Sequence, residues 1–190
     1  TIRNPWPIIG GAATGVSAPE KIVYTRGAKV GDRLFLTKPL GIAPAMAAYR
    51  LRKEEEGKEL LEGVPEDLID AAVDGAITGM ITSNKPVAEA MQQVPVNAAT
   101  DVTGFGLKGH AANMAVLGNI DIVIDQLAVI RGTPVLAEIF GYPLLTGEAK
   151  ETAGGILIAV AQEDADNLQD ELDKRRVRHF EVGYVTKDSG

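Results

Sequence analysis

The chain has 190 residues, of which 45% are hydrophobic, a net charge of -7 and a pI near 4.9. These values are typical of one globular domain, or of one domain with a small appendage, and they exclude a disordered or fibrous chain. The acidic balance argues against nucleic acid, and no apolar run approaches the roughly 20 residues of a membrane-spanning helix, so we expect a cytoplasmic protein that binds neither nucleic acid nor a membrane.

The first third of the chain is predicted to be rich in strands. Residues 8–17 and 21–25 have the composition of extended segments, and residues 33–37 follow a turn as a strand. Residues 43–61 then have a helical composition, with Gly57 as the expected interruption.

The rest of the chain mixes helical and extended patterns without strict alternation. Apolar residues at helical spacing predict helices over residues 65–80, 87–91, 107–117, 135–140 and 163–174. Apolar runs bounded by turn residues predict strands over residues 96–102, 120–125, 155–161 and 180–186. Because no repeat or linker interrupts the chain, we predict a single α+β domain in which a mixed β-sheet packs with helices.

Residues 100–110 form the most informative segment. They place Asp101 directly before a bend that contains Gly104 and Gly106 and leads into the helix predicted from residue 107. Backbone N–H groups at such a bend attract anionic oxygens, and a carboxylate can hold the accompanying cation. The pattern therefore indicates a nucleotide polyphosphate bound together with a divalent metal ion.

The same glycines admit a dinucleotide-binding interpretation. Gly104-x-Gly106-x-x-Gly109 satisfies G-x-G-x-x-G, and Asp125 follows at about the expected 20 residues. However, the strand before such glycines should be nearly continuously apolar, and residues 96–102 are not. A carboxylate beside the bend would also repel a pyrophosphate that carries no cation, so we favour the metal-bound nucleotide.

Several side chains have a structural interpretation beside the functional one. Asp101 is equally well explained as a helix N-cap or a turn residue. Phe105 is predicted to anchor the start of the helix in the core, and His110 to be a hydrogen-bonded structural group. Lys38 is interpreted either as a cation that neutralises a phosphate or as a solvated lysine at a sheet edge. Glu151 is expected to orient a loop by accepting hydrogen bonds from backbone N–H groups.

Two further segments favour a structural role. Residues 10–17 nearly match a phosphate-binding loop, but Val16 stands at the position of its lysine, so a closely packed strand is favoured. The basic residues 174–176 follow a run of aspartates and are interpreted as the solvated end of a helix.

Four blocks taken together resemble selenophosphate synthetase, a member of the superfamily that includes aminoimidazole ribonucleotide synthetase. In chain order they are Thr1-x-x-Asn4-Pro5-Trp6 with Gly10-Gly11, Thr37-Lys38-Pro39-Leu40-Gly41, residues 97–110 around Asp101, and Glu151-Thr152-x-Gly154-Gly155. The resemblance extends from the first residue to about residue 160.

The resemblance implies an ATP-dependent synthesis of selenophosphate from selenide, with AMP and phosphate as the other products and magnesium as a requirement. Asp101 matches a magnesium-binding aspartate of the family. Thr1 matches the last residue of a glycine-rich segment that contacts the nucleotide, and the bend with Gly104 and Gly106 is assigned to ATP. A homodimer is also implied.

The family's nucleophilic cysteine or selenocysteine and its lysine belong to an N-terminal domain, whereas this chain begins at Thr1 and has no cysteine. We therefore expect residues 1–190 to be a single C-terminal domain that acts with its own N-terminal domain, supplies no catalytic residue and is inactive alone. Two other functions stay open: a related ATP-using enzyme of the superfamily with another acceptor, and a non-catalytic scaffold domain.

Overall fold

The computed structural model of the chain describes residues 11–12 and 14–187. Its helices are α1 (Ile42–Leu51), α2 (Glu55–Leu60), α3 (Glu66–Ile81), α4 (Lys85–Met91), α5 (Gly106–Gly118), α6 (Thr133–Phe140) and α7 (Ala165–Lys174). Its strands are β1 (Arg33–Leu36), β2 (Val96–Asp101), β3 (Asp121–Ile124), β4 (Ile156–Val160) and β5 (Phe180–Thr186). The prediction of an α+β fold is confirmed.

The strands form one sheet in the order β2-β4-β1-β5-β3. We expected a mixed sheet, but all four of its described ladders are antiparallel. Strands that follow one another in sequence, with helices between them, are not neighbours in the sheet, so they form no parallel ladder. Within the described residues, parallel pairing is confined to an isolated bridge between Leu40 and Val129. Since β1 and β2 are both antiparallel to β4, their C-terminal ends lie on the same side of the sheet, next to the N-terminal end of β4.

The sheet separates two apolar cores. Side chains alternate along β1, so that Leu34 and Leu36 belong to the core beneath α5, whereas Phe35 belongs to the core beneath α4 and α7. All three side chains are fully buried, which explains why this central strand is apolar on both faces after Arg33. A third cluster joins α1, α3 and α6.

The first third of the chain contains less strand than predicted. The segment 21–25 is not a strand: a 3-10 turn, Pro19–Lys21, overlaps its start, and the Tyr24 carbonyl accepts a single hydrogen bond from the Ala99 N–H at 3.0 Å. Residues 14–17 also lie outside any strand. A strand requires a ladder of such bonds, which composition alone does not reveal.

The helix predicted over residues 43–61 is interrupted before Gly57 and not at it. α1 ends at Leu51 and α2 begins at Glu55, so Gly57 lies inside α2. A Cβ at Gly57 would lie 2.0 Å from the Leu51 carbonyl oxygen, so glycine is required by the close approach of the two helices.

The predictions for Thr1 and for the block from Asn4 to Gly10 lie outside the described residues. None of the described helices is long and apolar enough to cross a membrane.

Candidate functional site

Three segments of the chain meet where β1 and β2 end and β4 begins. We call them together the strand-end site; they are residues 37–42, 101–106 and 151–155. The Val102 N–H donates to the Gly155 carbonyl at 2.8 Å, and the Ile156 N–H donates to Thr37 Oγ1 at 2.8 Å. The segment 151–155 is therefore held between the other two.

Two glycines allow this close approach. A Cβ at Gly154 would lie 2.0 Å from the Val102 carbonyl oxygen, and a Cβ at Gly155 would lie 2.5 Å from the Lys38 backbone nitrogen. Real side chains do not tolerate such distances to backbone atoms, so packing alone requires glycine at both positions.

Glu151 connects all three segments. Its carboxylate accepts hydrogen bonds from the backbone N–H groups of Gly41 at 2.8 Å and Ile42 at 3.0 Å, which begin α1. Its own N–H donates to the Thr103 carbonyl at 2.9 Å. Burial raises the pKa of Glu151 to about 7, while the two N–H donors act to lower it. The expected role in orienting a loop is confirmed, and the carboxylate also caps α1.

Lys38 is buried, so the solvated-edge interpretation is wrong. Its Nζ donates to the Thr82 carbonyl at 2.7 Å and to the Ala153 carbonyl at 2.9 Å, because the end of α3 and the segment 151–155 cover the strand end. The residue is 7% exposed, and burial lowers the pKa of its amine. Within the described part of the chain, no carboxylate pairs with Lys38.

Asp101 is the last residue of β2 and is exposed. Among residues 11–12 and 14–187, its carboxylate has no hydrogen-bond or ion-pair partner. Phe105 holds the N-cap position of α5, and no side chain caps this helix, so the N-cap interpretation of Asp101 is wrong. An exposed and unpaired carboxylate is compatible with a metal ligand.

The glycine bend is closed by one hydrogen bond within the bend and is held to the segment at Gly147 by another. Gly106, at φ 67°, donates its N–H to the Thr103 carbonyl at 3.0 Å, and the Lys108 N–H donates to the Gly147 carbonyl at 2.9 Å. A Cβ at Gly106 would lie 2.6 Å from the Gly147 carbonyl oxygen, so packing requires this glycine. Gly104 has open space around it and is the accessible one of the two glycines.

His110 holds the bend from the first turn of α5. Its Nε2 accepts a hydrogen bond from the Thr103 N–H at 3.0 Å, which requires an unprotonated nitrogen, and its ring lies 5.6 Å from the Phe105 ring. His110 thus has the structural role that we expected. Phe105 does not anchor the core: it is 69% exposed, because the first turn packs inward through Gly106 and Leu107.

The sheet topology excludes the dinucleotide interpretation. A dinucleotide fold needs a parallel strand beside the one that precedes the glycines. β2 and β3, which α5 connects, lie at opposite edges of the sheet, and Asp125 follows β3.

The described residues supply at most part of a metal site. No group of three or more Asp, Glu or His among them is placed to hold a metal ion. Magnesium is commonly bound through one or two carboxylates together with substrate phosphates and water, and Asp101 fits one of these carboxylates.

Sequence reasoning missed a cavity that Lys38 lines together with Arg175, Arg176 and Arg178. Lys174 and Arg176 are exposed where α7 ends, as we expected of residues 174–176, but Arg175 and Arg176 also line this cavity, across it from α3. The approach of these two elements is a tertiary feature, so no local sequence pattern signals it.

Residues 29–190 match the family model described as AIR synthase related protein, C-terminal domain. The selenide, water dikinase of Methanocaldococcus jannaschii is 46% identical to this chain over 98% of the chain and 55% of its own length. The chain spans about half the length of the curated relatives it matches. The resemblance drawn from the sequence blocks is confirmed.

Solved structures share the fold at lower identity. HypE of E. coli superposes with a TM-score of 0.65 at 19% identity, covering 87% of this chain and 47% of HypE. Thiamine monophosphate kinase of Aquifex aeolicus superposes with a TM-score of 0.62 at 20% identity, covering 87% of this chain and 51% of the kinase. HypE has also been solved in complex with ATP. At these identities the likeness establishes the fold alone.

Proposed function

The chain belongs to the family of AIR synthase related proteins, C-terminal domain, and from this premise we propose that it is the C-terminal domain of a selenide, water dikinase, or selenophosphate synthetase. The full-length enzyme converts selenide, ATP and water to selenophosphate, AMP and phosphate. The observation that carries the proposal is the strand-end site, where three of the four resembling blocks meet beside the exposed carboxylate of Asp101. The identity of 46% with a selenide, water dikinase supports the choice of substrate.

Each described residue of the site has a proposed task. Asp101 contributes one carboxylate to the magnesium that accompanies ATP. Bound magnesium offsets the charge of the phosphates and orients them for transfer. Gly104 leaves space for a phosphate against the backbone, while Gly106 and His110 hold the bend so that Asp101 keeps its position. Thr1, outside the described residues, is proposed to contact the nucleotide.

The rest of the active site is proposed to belong to an N-terminal domain of the same protein. Phosphoryl transfer needs several metal ligands and a nucleophile held in line with the phosphate. The described residues contain no metal-binding cluster, and the chain has no cysteine. We therefore assign no catalytic residue to this chain and expect no dikinase activity from it alone. The assembled enzyme is proposed to be a cytoplasmic homodimer.

The test compares the full-length protein with the isolated chain, each supplied with ATP, magnesium and selenide. Phosphorus NMR follows AMP, phosphate and selenophosphate. The full-length protein is expected to form all three only when selenide is present, and the isolated chain is expected to form none. Product formation by the full-length protein without selenide would indicate another acceptor, and AMP formation by the isolated chain would contradict the proposed division of the site.

A further inference from the structure

A cavity of about 710 Å³ is lined by Thr37, Lys38 and Pro39 of the strand-end site, but Asp101 and the glycine bend do not line it. It is bordered by the end of β1, by α3, by the start of α4 and by the turn after α7. Its volume is within the range of roughly 300 to 1,000 Å³ that is typical of small-molecule sites.

Positive charge is concentrated in this cavity, although the whole chain has a net charge of -7. The cationic side chains that line it are Lys38, Arg131, Arg175, Arg176 and Arg178. Among the described lining residues, Asp74 is the acidic one. Arginine is suited to phosphate because its planar guanidinium donates two parallel hydrogen bonds to one anion.

The lining cations differ in how far their charge is already compensated. Arg131 lies 3.5 Å from a carboxylate oxygen of Asp67, and Arg175 pairs with Glu171. The other three, Lys38, Arg176 and Arg178, have no carboxylate partner in the part of the chain that the structure describes. A ligand that balances these three charges must carry more than one negative charge, which a phosphate does and a single carboxylate does not.

Lys38 has a donor to spare. Its ammonium group has three N–H donors, and the carbonyls of Thr82 and Ala153 use two of them. These two bonds fix the ammonium at the inner wall of the cavity, where its desolvated charge interacts more strongly with an anion than an exposed lysine would.

Arg176 occupies a backbone position that normally favours glycine. α7 ends with a hydrogen bond from the Arg176 N–H to the Asp173 carbonyl at 2.8 Å and one from the Val177 N–H to the Leu172 carbonyl at 2.9 Å. This is the Schellman arrangement, whose turning residue is left-handed, and Arg176 has a φ of 57°. An arginine is strained there relative to glycine, and its side chain lines the cavity.

We propose that this cavity binds the phosphate group of a small molecule, with Lys38 at the inner wall and Arg176 and Arg178 at the rim. The site is separate from the proposed ATP site at Asp101. The three cations come from the end of β1 and from the turn after α7, so a bound phosphate connects two elements that are distant in sequence.

The test titrates the full-length protein with inorganic pyrophosphate in a magnesium-free buffer, where a metal-dependent nucleotide site does not retain it. Isothermal titration calorimetry measures the affinity of the wild type and of Arg176→Gly, Arg178→Ala and Lys174→Ala. Lys174→Ala is the matched control, because it removes a neighbouring cation, at the end of α7, that does not line the cavity. Arg176→Gly keeps the backbone turn, and circular dichroism verifies that each variant is folded.

Pyrophosphate is expected to bind the wild type, and each arginine variant is expected to weaken binding by roughly tenfold or more, whereas Lys174→Ala changes it by less than about twofold. Acetate is expected to give no measurable binding. Absence of pyrophosphate binding, or equal affinity in the arginine variants and the wild type, would overturn the proposal. An Asp101→Asn variant that loses binding as strongly as the arginine variants would also overturn it, since the ligand would then belong to the ATP site.

Discussion

Glu151 connects the start of α1 to the end of β2, and its protonation should make the stability of the fold depend on pH. The perturbation is Glu151→Gln, which removes the titrating group and keeps its size. In the wild type, burial raises the pKa of Glu151 from 4.5 to about 7. The folded state therefore binds more protons than the unfolded state between these two values, so its stability falls as pH rises through this window.

The magnitude follows from the size of the displacement. One pKa unit is worth about 1.4 kcal/mol, so the wild type should lose about 3 kcal/mol of unfolding free energy between about pH 4.5 and pH 8 through this group. Glu151→Gln has no such dependence. It carries instead a constant cost of about 1 to 3 kcal/mol, because its amide cannot accept from both the Gly41 and Ile42 N–H groups and leaves one of them unpaired.

Urea unfolding of the chain, followed by circular dichroism at a series of pH values, measures both quantities. Below the window, the wild type should have the higher unfolding free energy. As pH rises through the window, this advantage over Glu151→Gln should shrink or reverse. Parallel stability curves for the two proteins would refute the argument, because they would mean that Glu151 has the same pKa in the folded and unfolded states.

Two further predictions concern backbone geometry. Gly154→Ala is expected to lower the unfolding free energy by about 3 kcal/mol, because its Cβ would lie 2.0 Å from the Val102 carbonyl oxygen. Gly104 lies in open space, so Gly104→Ala should change the unfolding free energy by less than about 0.5 kcal/mol. Similar urea midpoints for the two variants would contradict the packing argument. Arg176→Gly is expected to raise the unfolding free energy by about 1 kcal/mol by relieving the left-handed strain at φ 57°, and a lower thermal midpoint than the wild type would show that the strain is absent.

Most helices and strands could be predicted from the sequence because their apolar periodicity reports which face is buried. From β1 onward, apart from the break between α1 and α2, the observed ends lie within two residues of the predicted ones. The wrong predictions have one cause: at these positions the structure is determined by tertiary contacts, which local sequence patterns do not report. Residues 21–25 lack a partner for a ladder, and Gly57 is glycine because α1 approaches it closely.

The sequence predicts which blocks belong to the candidate site, but not how these blocks are arranged in space. The contact between Glu151 and Gly41 spans 110 residues of sequence, and it follows from the placement of β4 between β1 and β2. The burial of Lys38 and the exposure of Phe105 also depend on how α3 and α5 pack against the sheet, which local patterns do not specify.

The most direct test of the central claim replaces Asp101 with Asn in the full-length protein and measures the magnesium-dependent formation of AMP from ATP and selenide. Asp125→Asn is the matched control, because this exposed carboxylate follows β3 at the opposite edge of the sheet and belongs to the dinucleotide interpretation that the topology excludes. If Asp101 is a magnesium ligand, Asp101→Asn should lower the rate by roughly tenfold to a hundredfold, which is the loss typical of a perturbed metal site. It should also raise the magnesium concentration needed for half-maximal activity. The Asp125→Asn variant should keep a rate close to that of the wild type. An Asp101→Asn enzyme that is folded and keeps both the rate and the magnesium dependence of the wild type would contradict the account.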